Sequence, residues 1–76
     1  MASYGKQMKE LREAAGIAAV TLAGRMGWSK SRMSERESET QPTSEAEFLR
    51  VQAALLDLIA ERDAAFAEAR AKQVAS

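Results

Sequence analysis

The chain has 76 residues, in which 11 Lys and Arg are balanced by 11 Asp and Glu, and it contains neither His nor Cys. This length allows one small domain at most, and the missing residue types exclude a histidine base, a cysteine nucleophile and a zinc site built on Cys and His. Because a small core without disulfides or metal stabilises a fold only weakly, we expect well-packed helices or a second subunit.

The first half of the chain predicts two short helices, at about residues 4–15 and 18–26, because apolar side chains recur there at helical spacing. The two apolar faces comprise Tyr4, Met8, Leu11 and Ala15, and then Leu22, Ala23 and Met26. A glycine follows each segment, Gly16 after the first and Gly27 after the second. Glycine at these positions favours a left-handed residue that ends a helix.

A third, short helix is predicted at about residues 30–37, with Ser29 as its N-cap and Met33 as its single large apolar residue. Its other side chains are serine or charged, so we expect this helix to be mostly exposed. Turn-forming residues follow at 40–43, where Pro42 is the chain's only proline. This segment is predicted to separate a core of residues 1–43 from the segment 44–76.

The last predicted helix begins at a capping box, Ser44-Glu45-Ala46-Glu47, and nothing breaks it before about residue 71. At 1.5 Å per residue it would be roughly 40 Å long, longer than a compact domain of this size, so we expect it to overhang. The pattern leaves open a break near residues 55–57. The predicted apolar face comprises Phe48, Val51, Leu55, Leu58, Ile59 and Phe66, with Leu49 and Leu56 on a neighbouring face. The fold class predicted is therefore all-α.

The charges are sorted along the chain although they cancel in total. Residues 1–36 carry a net charge of +4 and residues 37–76 a net charge of −4. This asymmetry predicts a basic functional face formed by the first half and a separate role for the second.

One constellation of residues between positions 11 and 42 is specific. It comprises Leu11-Arg12-Glu13, Gly16-Ile17, Leu22-Ala23, Met26-Gly27-Trp28-Ser29, Met33-Ser34, Glu37 and Pro42. In these residues and their spacing the chain resembles the Cro/C1-type (XRE-like) helix-turn-helix transcriptional regulators. The resemblance implies a lambda-repressor-like helix-turn-helix domain, with Trp28 and Met33 packed inward and Ala23 at the crossing of two helices.

The resemblance also implies that residues 30–37 form a recognition helix in the major groove of DNA. There a lysine or arginine can donate to guanine, serine can pair with several base edges, and glutamate can accept from cytosine. The implied DNA-binding residues are Ser29, Lys30, Ser31, Arg32, Glu35 and Arg36, together with Lys9 and Arg25. We expect a pseudo-palindromic operator bound by a homodimer, as in small repressors of phages and mobile elements.

The chain departs from the family pattern at several positions. Ala18 and Ala19 replace a capping threonine and a phosphate-binding glutamine, and Arg36 replaces an apolar residue. Glu39 stands where the family has glycine. Because a left-handed non-glycine residue costs about 1–2 kcal/mol, we expect the loop to take another path or the third helix to run further.

The overhanging helix predicts a dimer interface, because a helix-turn-helix monomer contacts only one half-site. The candidate interface residues are Leu55, Leu58, Ile59, Arg62 and Phe66. Of these, Leu55 is expected to pack within its own chain, whereas Ile59 and Phe66 are expected to lie beyond the chain's own core.

The alternative function is a protein-interaction module, such as an antitoxin, adaptor or anti-activator, whose long helix binds a toxin or a polymerase subunit. We expect no enzymatic activity, because Asp57 and Glu61, a carboxylate pair with obvious helical spacing, fit a solvated face. Nor do we expect a cofactor, a metal or a small-molecule ligand.

No apolar run reaches the roughly 20 residues that span a bilayer, and the first residues lack the apolar region of a signal peptide. We expect the protein to be cytoplasmic and of bacterial or phage origin.

Overall fold

A computed structural model describes residues 3–75, and within that range the chain is all-α, as predicted. Four helices follow one another: α1 (Tyr4–Ala14), α2 (Ala19–Met26), α3 (Lys30–Glu37) and α4 (Glu45–Ala75). The predicted bounds of α3 are confirmed, and those of α1 and α2 differ by one residue. Helix α4 is unbroken and extends four residues beyond the predicted end.

Local signals in the sequence account for the ends of the first two helices. Gly16 and Gly27 both have φ near +70°, the left-handed conformation expected of them. After Gly27 the backbone N–H of Trp28 donates to the carbonyl of Ala23 over 2.8 Å. Helix α2 has Ala18 as its N-cap residue, and no side-chain hydrogen bond caps this start, because alanine carries no acceptor.

The loop after α3 differs from the prediction. Glu39 adopts the left-handed conformation with φ of 65°, and α3 ends at Glu37 rather than running further. Hydrogen bonds offset the local strain: the N–H of Gln41 donates to the carbonyl of Glu35 over 3.2 Å, and the Ser3 hydroxyl donates to the Glu39 carboxylate. These hydrogen bonds stabilise the left-handed conformation of Glu39, and the one from Ser3 could not be foreseen from the local sequence.

The core lies where α1 and α2 pack against α3 and against the first four turns of α4. Its fully buried large side chains are Met8, Leu22, Met33 and Val51. Trp28 and Ala23 are also buried, as expected. Leu11 is an exception to the predicted apolar face of α1, because 41% of it remains exposed.

Helix α4 makes the molecule elongated. It has 31 residues, or about 46 Å at 1.5 Å per residue, and the whole molecule measures 51 × 23 × 17 Å. Every described side chain from Ala60 to Gln73 is exposed, so the predicted overhang is present. Among the described residues, no helix combines the length and apolar content needed to cross a bilayer.

Candidate functional site

The connection between α2 and α3 consists of three residues, and it sets how α3 is presented. Gly27 ends α2 in the left-handed conformation, Trp28 is buried, and the Ser29 hydroxyl accepts a hydrogen bond from the N–H of Arg32 over 3.1 Å. Met33 is fully buried one turn into α3. Trp28 and Met33 therefore hold one side of α3 against the core and leave the other side in solvent.

The exposed side of α3 carries hydroxyl and charged side chains. These are Lys30, Ser31, Arg32, Ser34 and Glu35. Ser31 and Glu35 each lie two residues from Met33, so at about 100° per residue they point away from the core. The structure thus places Ser31 and Glu35 on the side of α3 that faces away from the core, and Lys30, at the first position of α3, is exposed beside them.

Two of the predicted DNA-binding arginines pack instead around Trp28 and Glu47. The Arg32 guanidinium lies 4.7 Å from the centre of the Trp28 ring and 3.3 Å from one Glu47 oxygen. Arg36 donates to the other Glu47 oxygen over 3.1 Å and also to the carbonyl of Pro42. Only 19% of the Arg36 side chain is exposed, so it faces the body of the protein rather than the exposed side of α3.

Glu47 is the residue of this cluster that sequence reasoning missed. Its role in the capping box was predicted and is confirmed, because its N–H donates to the Ser44 hydroxyl and its carboxylate accepts from the Ser44 N–H. Its pairing with Arg32 and Arg36 was not foreseen. The sequence carries no local signal for this pairing, because Glu47 is 15 residues from Arg32 and 11 from Arg36.

The pKa of Glu47 lies below its ordinary value. The largest cause is the hydrogen bond from the Ser44 backbone N–H, and the charge of Arg36 and the hydrogen bond from Arg32 act in the same direction. Partial burial opposes them. The ionised carboxylate is therefore part of the folded structure.

Acidification is expected to destabilise the wild-type protein more steeply than a Glu47→Gln variant. A carboxyl group with a lowered pKa stabilises the fold fully above its unfolded-state pKa of about 4.3, and that stabilisation is lost as pH falls through the folded-state pKa. The wild type should therefore have the higher Tm at neutral pH, and the difference should shrink toward about pH 3. Thermal unfolding by circular dichroism measures it, and a difference independent of pH would contradict a titrating role for Glu47.

The remaining cations divide into paired and unpaired groups. Arg25 pairs with the Glu61 carboxylate on α4, and Arg12 pairs with Glu37 through two hydrogen bonds of 2.7 and 3.0 Å. The Glu37 hydrogen bond raises the pKa of Arg12, and burial opposes it. Lys9 and Lys30 are exposed and make no ion pair within residues 3–75.

The candidate dimer residues are not equivalent. Leu55 is buried in its own core, as expected, and is not available to a partner. Leu58 and Ile59 are half-buried against the same core, so the expectation that Ile59 lies beyond the core is wrong. The contact between α4 and the core therefore extends about one helical turn further along α4 than predicted. Phe66 is exposed as expected, and Arg62 donates to the carbonyl of Ala15 at the end of α1.

Within the described part of the chain, no three Asp or Glu side chains are grouped so that they could hold a metal ion. Comparison with family models, with curated proteins and with solved structures finds no match to this chain. A function must therefore be argued from the residues themselves.

Proposed function

We propose that the protein is a sequence-specific double-stranded DNA-binding transcriptional regulator, a small Cro-like repressor or controller that acts in the cytoplasm without catalysis. In this proposal α2 and α3 form a helix-turn-helix, and a homodimer binds a pseudo-palindromic operator. The observation that carries the proposal is the exposed side of α3, which a three-residue turn and two buried side chains hold outward from the core.

The proposed roles follow from the chemistry of the exposed side chains. Lys30 donates to guanine O6 and N7, Ser31 pairs with a base edge, and Glu35 accepts from cytosine N4. Lys9, an exposed cation that makes no ion pair within residues 3–75, contacts a phosphate. Arg32 is half exposed and exchanges Glu47 for a phosphate oxygen when DNA is bound.

The test begins with selection of bound sequences from random duplex DNA, followed by affinity measurements on the enriched site. Ser31→Glu is expected to lower affinity at least tenfold, about 1.4 kcal/mol, because it adds a negative charge facing the duplex. The matched control is Ala64→Glu, which adds the same charge at an exposed position on α4. Its affinity should equal that of the wild type.

Two further variants separate base reading from phosphate binding. Lys30→Ala should cost about 1–3 kcal/mol on the enriched site and little on random DNA, whereas Lys9→Ala should weaken both alike. If no sequence is enriched and no duplex is bound at low salt, the DNA-binding proposal is wrong.

A second candidate is the protein-interaction module, favoured by one observation. Arg25, Arg32 and Arg36 are paired within the chain, while large apolar side chains on α4 are exposed. Under this proposal α4 binds a toxin or a polymerase subunit and α3 has no partner. The Ser31→Glu variant separates the two candidates, since a partner held by α4 alone would not respond to it.

A further inference from the structure

Helix α4 carries a row of apolar side chains that its own core covers only in part or not at all. Leu49 is 55% exposed, Leu56 67% and Phe66 69%, and Ile59 is half-buried at the edge of the core. These four residues occupy the first and fourth positions of successive heptads. That spacing is the pattern of a helix that packs along a second helix.

The row differs from the face of α4 that packs on the core. Its heptad positions are 45, 49, 52, 56, 59, 63, 66 and 70. Between α1 and α4 the row borders an apolar groove of about 260 Å³ lined by Leu11, Gln52, Leu55, Leu56 and Ile59. Leu11, the exposed member of the α1 apolar face, thus forms one wall of a groove that runs beside the row.

We propose that this row binds α4 of a second copy of the chain, in antiparallel orientation, with the symmetry axis between Asp57 and Leu58. We chose this axis position because it places each apolar residue of the row opposite another apolar residue, and each polar residue opposite one of complementary charge or hydrogen-bonding capacity. The facing pairs are Leu49 with Phe66, Leu56 with Ile59, Gln52 with Asp63, and Glu45 with Arg70.

The chemistry of the pairs selects this orientation. In a parallel dimer each residue faces its own copy, so Asp63 would meet Asp63 and Arg70 would meet Arg70, which is unfavourable. In the antiparallel register the Gln52 amide donates to the Asp63 carboxylate, and Glu45 neutralises Arg70. Both Glu45 and Arg70 are exposed and make no ion pair within the described residues.

The overhang of α4 supplies the contact area. Residues 60–73 of α4 are exposed in their own chain, whereas residues 45–56 lie beside the core. The antiparallel register places the overhang of each copy along residues 45–56 of the other. Small side chains, Ala53 and Ala60, flank the row and allow the two helices to approach closely.

This inference rests on the homodimer of the proposed function but not on DNA binding, and its test is done without DNA. The chain contains no cysteine, so Leu49→Cys and Phe66→Cys each introduce a single thiol at an exposed site. A disulfide requires Cα atoms about 4.4–6.8 Å apart, so it forms only between positions that face each other. An equimolar mixture of the two variants should oxidise to a covalent dimer, and each variant alone should remain at least tenfold less cross-linked.

A charge exchange tests the register independently of the apolar residues. Glu45→Arg and Arg70→Glu should each raise the dimer Kd about tenfold in sedimentation, and the double variant should return it to within about threefold of the wild type. Glu68→Arg, an equal change off the row, is the control and should leave the Kd unaltered.

A wild-type monomer, self-cross-linking of either single-cysteine variant or failure of the double variant to recover would overturn the interface. Loss of DNA binding by a dimer that cross-links as described would instead overturn only the role of α3.

Discussion

Replacing Gly5 by alanine is expected to lower the free energy of unfolding by about 3 kcal/mol. Gly5 is buried where α1 crosses the end of α3, and a Cβ atom there would lie 2.1 Å from the Arg36 carbonyl oxygen and 2.9 Å from Cγ of Glu39. The first of these contacts is with backbone, so a side-chain rotation cannot relieve it. Overpacking costs about 1–3 kcal/mol, and a backbone clash belongs at the upper end.

Chemical denaturation of wild type and variant measures this effect, against a total stability of about 4–11 kcal/mol for a chain of this length. Gly24→Ala is the matched control, because Gly24 lies in α2 and a Cβ there would meet nothing within 4 Å. Alanine is the better helix former, so this variant should be more stable by about 0.5–1 kcal/mol. A Gly5→Ala variant as stable as Gly24→Ala would show that α1 does not approach α3 closely.

The helices could be predicted from the sequence because their ends are encoded locally. Gly16 and Gly27 end two helices with a left-handed residue, Ser29 caps α3, and Ser44 with Glu47 starts α4. Each of these signals acts within about four residues. None of them depends on how the helices pack together.

Features that depend on contacts between distant residues could not be predicted. Glu39 is left-handed because hydrogen bonds from Ser3 and Gln41 hold its loop, and Ser3 is far away in sequence. Leu11 shares a helical face with buried Met8, yet it remains exposed at the groove between α1 and α4. The importance of Gly5 is equally invisible, since helical periodicity does not reveal which residue lies at a crossing.

For the candidate site, the exposure of Ser31 and Glu35 followed from their helical positions relative to Met33, and that of Lys30 from its place at the start of α3. The charge sorting was harder to interpret. Four ion pairs join the basic half of the chain to the acidic half, which begins at Glu37, so part of the asymmetry serves folding rather than a partner. They are Arg12 with Glu37, Arg25 with Glu61, and Arg32 and Arg36 with Glu47.

The best-buried of these pairs is expected to produce the largest coupling energy in the molecule. The Arg12 and Glu37 side chains are 13% and 9% exposed, and Arg12 also donates to the Ile17 carbonyl over 2.9 Å. Removing one partner leaves a charge in a poorly hydrated site, which costs about 3–5 kcal/mol when burial is complete. Because both side chains keep some contact with water, we expect about 2–4 kcal/mol for Glu37→Gln and for Arg12→Met.

A double-mutant cycle distinguishes pairing from the loss of packing. Once Arg12 is methionine, changing Glu37 to glutamine no longer leaves an opposite charge unpaired, so the double variant should cost about 2 kcal/mol less than the two single variants together. The control is the exposed pair of Glu68 and Lys72, 3.5 Å apart on α4, whose coupling should stay below about 0.5 kcal/mol. Because Glu37 lies in the last turn of α3, a large coupling at Arg12 means that this pair fixes the orientation of α3 against α1. A coupling no larger than that of the control would leave Met33 and Trp28 as the side chains that hold the helix in place.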